Sequence, residues 1–189
     1  GKGGKITQPL NLQKMSVYEG PNITFNHRPY LGFGIRNFML DYNGTIQFKN
    51  WAELGVGVGY HSNSTKFYSA SDKHTIRVNS LPTYVTAIIY PYHDNNRAFY
   101  IKGNYGIPNN FSGAKNQNDG SLAARMFQGG IGYKHYDYNS NRSWYVELSQ
   151  YSTVAKGTFK DLDTYNATID YNLQFYGIVV AIGVNLNGG

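Results

Sequence analysis

"WAELGVGVGYHSNST", residues 51 to 65, sets glycine at three alternate positions, Gly55, Gly57 and Gly59, ahead of His61 and Ser62. The fold turns on what that alternation is. A dinucleotide-binding turn needs G-x-G-x-x-G between a strand and a helix, whereas these glycines sit inside a period-2 run that ends in a polar stretch. A nucleophile–base pair fares no better, because His61 and Ser62 are adjacent and on a strand leave opposite faces; Ser64 also has the wrong parity. What remains is a strand with an apolar face (Leu54, Val56, Val58, Tyr60) and a small or polar face (Glu53, Gly55, Gly57, Gly59, His61).

The same period recurs along the chain, and helical periodicity does not. Eight segments read as strands: 15–26, 30–42, 45–61, 80–92, 97–107, 122–138, 143–155 and 172–187. Asn43-Gly44 carries the signature of a two-residue hairpin turn, since both residues tolerate positive φ. Beyond it the connections alternate: 62–79 long, "HDNNR" (93–97) short, 108–121 long, "NSNR" (139–142) short, 156–171 long. "NHRP" (26–29) is a short link where the alternation asks for a long one. An even number of antiparallel strands with tight turns at one end and long loops at the other is how outer-membrane barrels are arranged.

Composition agrees with that layout. The 189 residues include 18 Tyr, 10 Phe and 22 Gly, with 15% charged residues and no Cys, which excludes disulfides, thiolate metal sites and thiol chemistry. Mean hydropathy is negative, and the longest apolar block, "GIVVAIGV" (177–184), is strand-sized and far too short for a membrane-spanning helix. Residues 1–14 read as a polar basic tail of a mature chain and 15–189 as a single domain. The tail supplies Lys2, Lys5 and Lys14 of a formal charge of +6, so no nucleic-acid patch is read from the charge.

The faces decide which way the barrel is turned. In the third segment Ile46, Phe48, Ala52, Leu54, Val56, Val58 and Tyr60 oppose Gln47, Lys49, Glu53, Gly55, Gly57, Gly59 and His61. In the last, Tyr176, Ile178, Val180, Ile182, Val184 and Leu186 oppose Phe175, Gly177, Val179, Ala181, Gly183 and Asn185. Glycine and alanine cannot solubilise an outer surface, so the apolar rows face lipid and the small rows face a narrow interior filled by larger side chains. Closure removes the unpaired edges that hydrocarbon would punish. The expectation is an all-β, eight-stranded antiparallel up-and-down transmembrane β-barrel.

The glycine–aromatic strands "ELGVGVGY", "FQGGIGYKHYDY" and "FYGIVVAIGVNL", separated by long polar loops, resemble small bacterial outer-membrane barrels of the OmpA-transmembrane/OmpX type over about residues 15 to 187. The resemblance implies a Gram-negative outer-membrane location with short turns on the periplasmic side. The chain departs from that family in ending "NLNGG", without the terminal aromatic residue that such barrels often carry.

Inside such a barrel the parity places Arg36, Glu53, His61, Lys102, Lys134 and Glu147, together with Tyr100, Tyr136, Tyr145 and Tyr151. Charges at that depth must be paired or hydrated. A turn centred on Ser140-Asn141 sets Lys134 opposite Glu147, and Arg36 meets Glu53 across the preceding hairpin. Tyr30, Tyr42, Trp51, Tyr60, Tyr84, Tyr90, Tyr133 and Trp144, near strand ends, read as an interfacial belt.

Chemistry is hard to find. Lipid A 3-O-deacylase barrels carry His and Ser two positions apart on one face; "YHSNS" does not. The remaining histidines (His27, His74, His93, His135) lack metal-ligand spacing, "DLD" (161–163) with Asp170 reads as a solvated loop, and the Asn-x-Ser/Thr triplets follow from composition. No catalytic residue, cofactor or metal is expected. The expected function is a non-enzymatic, structural or surface-binding outer-membrane protein, with membrane lipids including lipopolysaccharide, and other outer-membrane proteins, as partners. Lys66, Lys73, His74 and Arg77 in the basic loop 62–79 are the loop-binding candidates for an anionic partner. Rival readings are a lipid-modifying barrel enzyme, a narrow channel past Arg36 and Glu53, and a soluble lipocalin-like binder with its apolar rows inward.

Overall fold

The computed structural model describes residues 23–49, 51–69, 72–94, 96–112, 117–120, 125–137, 142–161 and 167–188; the tail 1–14 and the start of the first expected strand lie outside them. Eleven strands form one sheet: β1 (Ile23–Phe33), β2 (Asn37–Phe48), β3 (Ala52–Ser69), β4 (Asp72–Ser80), β5 (Thr83–His93), β6 (Arg97–Ile107), β7 (Asn110–Ser112), β8 (Gln117–Gly120), β9 (Met126–Asp137), β10 (Arg142–Asp161) and β11 (Ala167–Gly188). Eight of them, β1, β2, β3, β5, β6, β9, β10 and β11, pair each with the next, and β11 returns to β1. The barrel is closed and antiparallel throughout, as the period-2 pattern predicts. β4, β7 and β8 extend the wall at one end, β4 being separated from β5 by Leu81 and Pro82.

The register fixes the shape of the barrel. Stepping directly across from Ile23 leads through Phe48, Ala52, Ile89, Ile101, Ile131, Leu148 and Val180, then back to β1 at Phe33. One circuit therefore climbs from residue 23 to residue 33, a shear of 10. With about 3.3 Å per residue and about 4.8 Å between strands, ten residues of stagger over eight strands tilt the wall by about 40°.

The first hairpin differs from expectation. Asn43 and Gly44 lie in the middle of β2, paired with Arg28 and His27 on one side and with Gly57 and Val56 on the other. No glycine in the described backbone has positive φ. The chain turns instead at 34–36, where the Gly34 N–H donates to the Asn37 carbonyl (2.8 Å), and at 49–51, where Lys49 takes φ 49°. The presumed link 26–29 is inside β1. Pro29 is tolerated there because the β1–β11 ladder is interrupted at residues 28 and 29, where its missing N–H costs no bond.

With that correction, the connections from β2 to β3, β5 to β6 and β9 to β10 leave from one end of the barrel, the turn end, where β1 begins and β11 finishes. The expected long loops at the other end are largely ladder: β3 and β4 pair from His61–Ser80 up to Ser69–Asp72, and β10 and β11 pair up to Asp161–Ala167. Threonine, β-branched and aromatic residues in these stretches suit a strand, and their polarity had read as loop.

The turn at 94–96 shows why such ends hold. The Asp94 carboxylate accepts the backbone N–H groups of Asn96 (2.8 Å) and Arg97 (2.9 Å) and the Arg97 Nε–H (2.7 Å). The Arg97 side-chain bond, followed by these backbone bonds, holds the exposed Asp94 carboxyl down at about 2. Its folded value being depressed, Asp94 favours the fold above the ordinary carboxylate range and loses that effect as pH falls through about 2. The Asp94 carboxyl carbon is expected to titrate near 2 by NMR, and Arg97→Gln is expected to move the midpoint up towards the ordinary value.

Candidate functional site

Parity sorts the side chains as expected, and burial gives the direction. The apolar rows face outward: Leu54, Val56 and Val58 on β3, Phe99, Ile101 and Ile107 on β6, and Tyr176 to Leu186 on β11 are exposed. These rows run from nine residues (Phe99 to Ile107) to eleven (Tyr176 to Leu186), about 23–28 Å along the barrel axis at this tilt. Rings mark both limits. Towards the turn end Tyr92, Phe99, Tyr133, Trp144 and His135 form a chain with centroids 5.3–6.1 Å apart. Towards the other end Phe33, Phe38 and Tyr60 follow one another at 5.7 and 6.4 Å. Tyr30, Tyr84 and Tyr90, expected in this belt, are buried inside the barrel instead.

The interior is polar and filled. Among the described residues the buried charged-type side chains are Arg28, Lys102, Lys134, Asp41, Glu53, Glu147 and His61, three cations against three carboxylates with one imidazole. Nearest the turn end, Arg28 Nη1 donates to Glu53 Oε2 (3.1 Å) and to the Tyr90 hydroxyl (3.0 Å). Thr45 Oγ1 donates to the same carboxylate (2.6 Å), as does the Tyr90 hydroxyl, and Lys134 Nζ stands 3.7 Å from Glu53 Oε1. The Arg28 guanidinium lies over the Tyr145 and Tyr100 rings at 4.5 and 5.3 Å. Higher up, Lys102 pairs with Glu147 (2.8 Å), which also accepts the Tyr100 hydroxyl (3.2 Å), and Lys102 Nζ sits 4.3 Å from the Tyr30 ring centroid.

Above these, His61 Nε2 lies 3.0 and 2.9 Å from the two oxygens of Asp41, and Nδ1 lies 3.4 Å from the Tyr151 hydroxyl. A carboxylate only accepts, so Nε2 carries a proton towards Asp41, and Nδ1 shares a hydrogen bond with the Tyr151 hydroxyl. Ser62 falls on the opposite face from buried His61. Among the described residues no group of three or more His, Cys, Asp or Glu is placed to hold a metal ion.

Glu53, His61, Lys102, Lys134 and Glu147 are thus interior, as are Tyr100, Tyr145 and Tyr151. Arg36 is not: it is exposed in the turn 34–36, and Arg28 takes the place opposite Glu53. Misplacing the first turn moved the wrong arginine inward. Lys134 does not face Glu147 either. Asp137 opposite Arg142 closes the hairpin, so Lys134 stands opposite Tyr145 and Glu147 opposite Gly132. Lys134 instead reaches across the lumen to Glu53, and Glu147 takes Lys102. Sequence reasoning missed Arg28 and Asp41, although Asn26, Arg28, Tyr30 and Gly32 share one parity opposite Phe25, His27, Leu31 and Phe33. Of the loop candidates, Lys66, Lys73, His74 and Arg77 all lie on the strands β3 and β4 rather than in a loop.

The alternate glycines of β3 make room for this filling. A Cβ on Gly57 would fall 2.2 Å from a Tyr84 ring carbon and 2.2 Å from Asn43 Oδ1, and one on Gly59 would fall 1.9 Å from Asp41 Oδ1. Gly132 does the same for Tyr100 and Gly183 for Tyr145. Gly57→Ala is expected to cost about 1–3 kcal/mol in a urea titration, since Tyr84 and Asn43 are both buried and cannot retreat to solvent.

The fold and lining define a closed eight-stranded antiparallel barrel turned inside out, polar within and apolar without. No protein-family model matches the chain, and no curated protein does. Among solved structures, one described as "De novo design of transmembrane beta-barrels" is similar over 90% of this chain and 99% of its own, at 14% identity and a TM-score of 0.48. That likeness identifies neither a family nor an activity.

Proposed function

We propose that this protein spans a bacterial outer membrane as a small non-enzymatic barrel of the OmpA/OmpX-like kind and acts through the strand extensions that rise beyond its apolar belt. The observation behind the reading is the inversion itself. An apolar outer surface continuous around the wall is far beyond what a soluble monomer exposes, and it is bounded at both ends by aromatic side chains. A soluble lipocalin-like binder needs those rows inside. The interior favours a structural plug over a channel, because Glu53 and Glu147 are paired with cations, Asp41 is held by His61, and large tyrosines occupy the space between them. A hydrolase needs an accessible nucleophile beside its base, whereas His61 is fully buried against Asp41 and Tyr151.

Recognition then belongs to the far ends of the β3–β4 and β10–β11 ladders, beyond the apolar belt, with membrane lipids such as lipopolysaccharide and neighbouring membrane proteins as partners. The test is a folding assay. The protein refolded with detergent or lipid is expected to migrate differently on an SDS gel before and after boiling. A chain that stays monomeric in plain buffer, with no heat-dependent shift, would overturn the reading.

A further inference from the structure

Arg36 and Arg77 flank the same residue of β3, Ser64, from either side. The Ser64 N–H donates to the Arg36 carbonyl (3.0 Å), and Ser64 stands directly opposite Arg77 on β4. Both arginines are exposed. The backbone ladder runs on from Ser64–Arg77 through Lys66–Thr75 to Tyr68–Lys73, and Ser64 follows the outward row of Leu54, Val56, Val58 and Tyr60. Arg36 and Arg77 therefore occupy one lip of the barrel, just past the Phe33–Phe38–Tyr60 cluster that ends the apolar belt. The only carboxylate residue described on this ladder is Asp72, at its far tip. At the opposite end the signs are mixed, with Arg97 paired to Asp94 (2.7 Å) and Arg142 opposite Asp137.

Two exposed arginines at the edge of an apolar wall match a molecule with acyl chains below and phosphates above. We infer that Arg36 and Arg77 form a lateral binding site for the phosphate groups of an anionic glycolipid in the loop-side leaflet. Its acyl chains lie along the Val56–Val58–Tyr60 row. Arginine suits the role because its planar guanidinium binds phosphate oxygens in pairs. The inference rests on the membrane reading above, and its test separates the two.

The protein is reconstituted into phosphatidylcholine vesicles with and without diphosphoryl lipid A, and retained lipid A is measured after extraction by native mass spectrometry. Wild type is expected to keep lipid A in preference to phosphatidylcholine. Arg36→Gln and Arg77→Gln are each expected to weaken binding about fivefold, and the double variant on the order of 25-fold. Lys49→Gln and Arg142→Gln, at the other end, are expected to leave it unchanged. Equal retention by the double variant, an equal loss in K49Q or R142Q, or displacement of lipid A by free inorganic pyrophosphate would each overturn the site. Failure to insert into plain phosphatidylcholine vesicles overturns the membrane reading and the site together; insertion without preference for lipid A overturns the site alone.

Discussion

Glu53→Ala is expected to destabilise the barrel by about 3–5 kcal/mol, read as a shift in the urea midpoint of the protein folded in vesicles. Glu53 is the one acceptor that Arg28, Lys134, Thr45 and Tyr90 share. Removing it strands a guanidinium and an ammonium in a space closed to water, and the penalty is that of two uncompensated buried charges rather than of one lost contact. The partner substitution distinguishes this from a packing defect. Arg28→Met in the E53A background is expected to recover part of the loss, because the side chain that remains is apolar and similar in length. If E53A unfolds with a midpoint within experimental error of wild type, the carboxylate is not the hub of the lower layer.

Ile131→Arg is expected to cost about 2–4 kcal/mol in a bilayer. Ile131 faces outward with 62% exposure, between Ile101 on β6 and Leu148 on β10, well inside the apolar belt. On a water-soluble barrel an exposed isoleucine replaced by arginine would change stability little, within about 0.5 kcal/mol. The same substitution thus has opposite consequences under the two readings. A graded series sharpens it: Ile101→Arg is expected to cost a comparable amount, and Phe25→Arg, nearer the turn end, less, following the depth dependence of lipid-facing charges. A flat series across these positions contradicts a bilayer around the wall.

Much of the barrel was legible because parity is insensitive to boundaries. β3, β6 and β9 to β11 share their inward and outward rows with the sequence reading even where strand ends moved by several residues, whereas Tyr84 and Tyr90 of β5 turned inward. Orientation followed from chemistry: a face of Gly55, Gly57, Gly59, Gly177 and Gly183 can be an interior but not a solvated exterior. The first hairpin was not legible, for a physical reason. In a barrel with a polar lumen, Asn, Gly, Ser and Thr are interior residues as well as turn residues, so the composition of a turn loses its meaning. Asn43 is buried in the lumen, and Gly44 is extended where a turn had been expected. The uninterrupted alternation of Asp41, Asn43, Thr45 and Gln47 against Leu40, Tyr42, Ile46 and Phe48 was the better guide.

The same error carried into the lumen. A turn misplaced within β2 exchanged Arg28 for Arg36, and a two-residue difference in the β9–β10 register separated Lys134 from Glu147. Pairing across the lumen was beyond sequence reasoning of any kind. The Lys134–Glu53 contact joins strands that are not neighbours in the wall, and it depends on the shear and on which tyrosine fills which glycine gap. Polarity hid the extensions of β3 and β10 for a related reason: their sequences lack the unbroken apolar row that marks the rest of each strand.

The most direct test of the central claim uses the two native tryptophans, both exposed at the turn end, Trp144 on the outside of the wall and Trp51 in the turn that precedes β3. The protein is reconstituted into phosphatidylcholine vesicles brominated at successive acyl positions, and tryptophan emission is recorded against unbrominated vesicles. A belt that lies in lipid predicts blue-shifted emission quenched most by bromines near the headgroup and progressively less towards the chain terminus. Emission at the wavelength of water-exposed indole, unquenched by bromine at every depth, would contradict it.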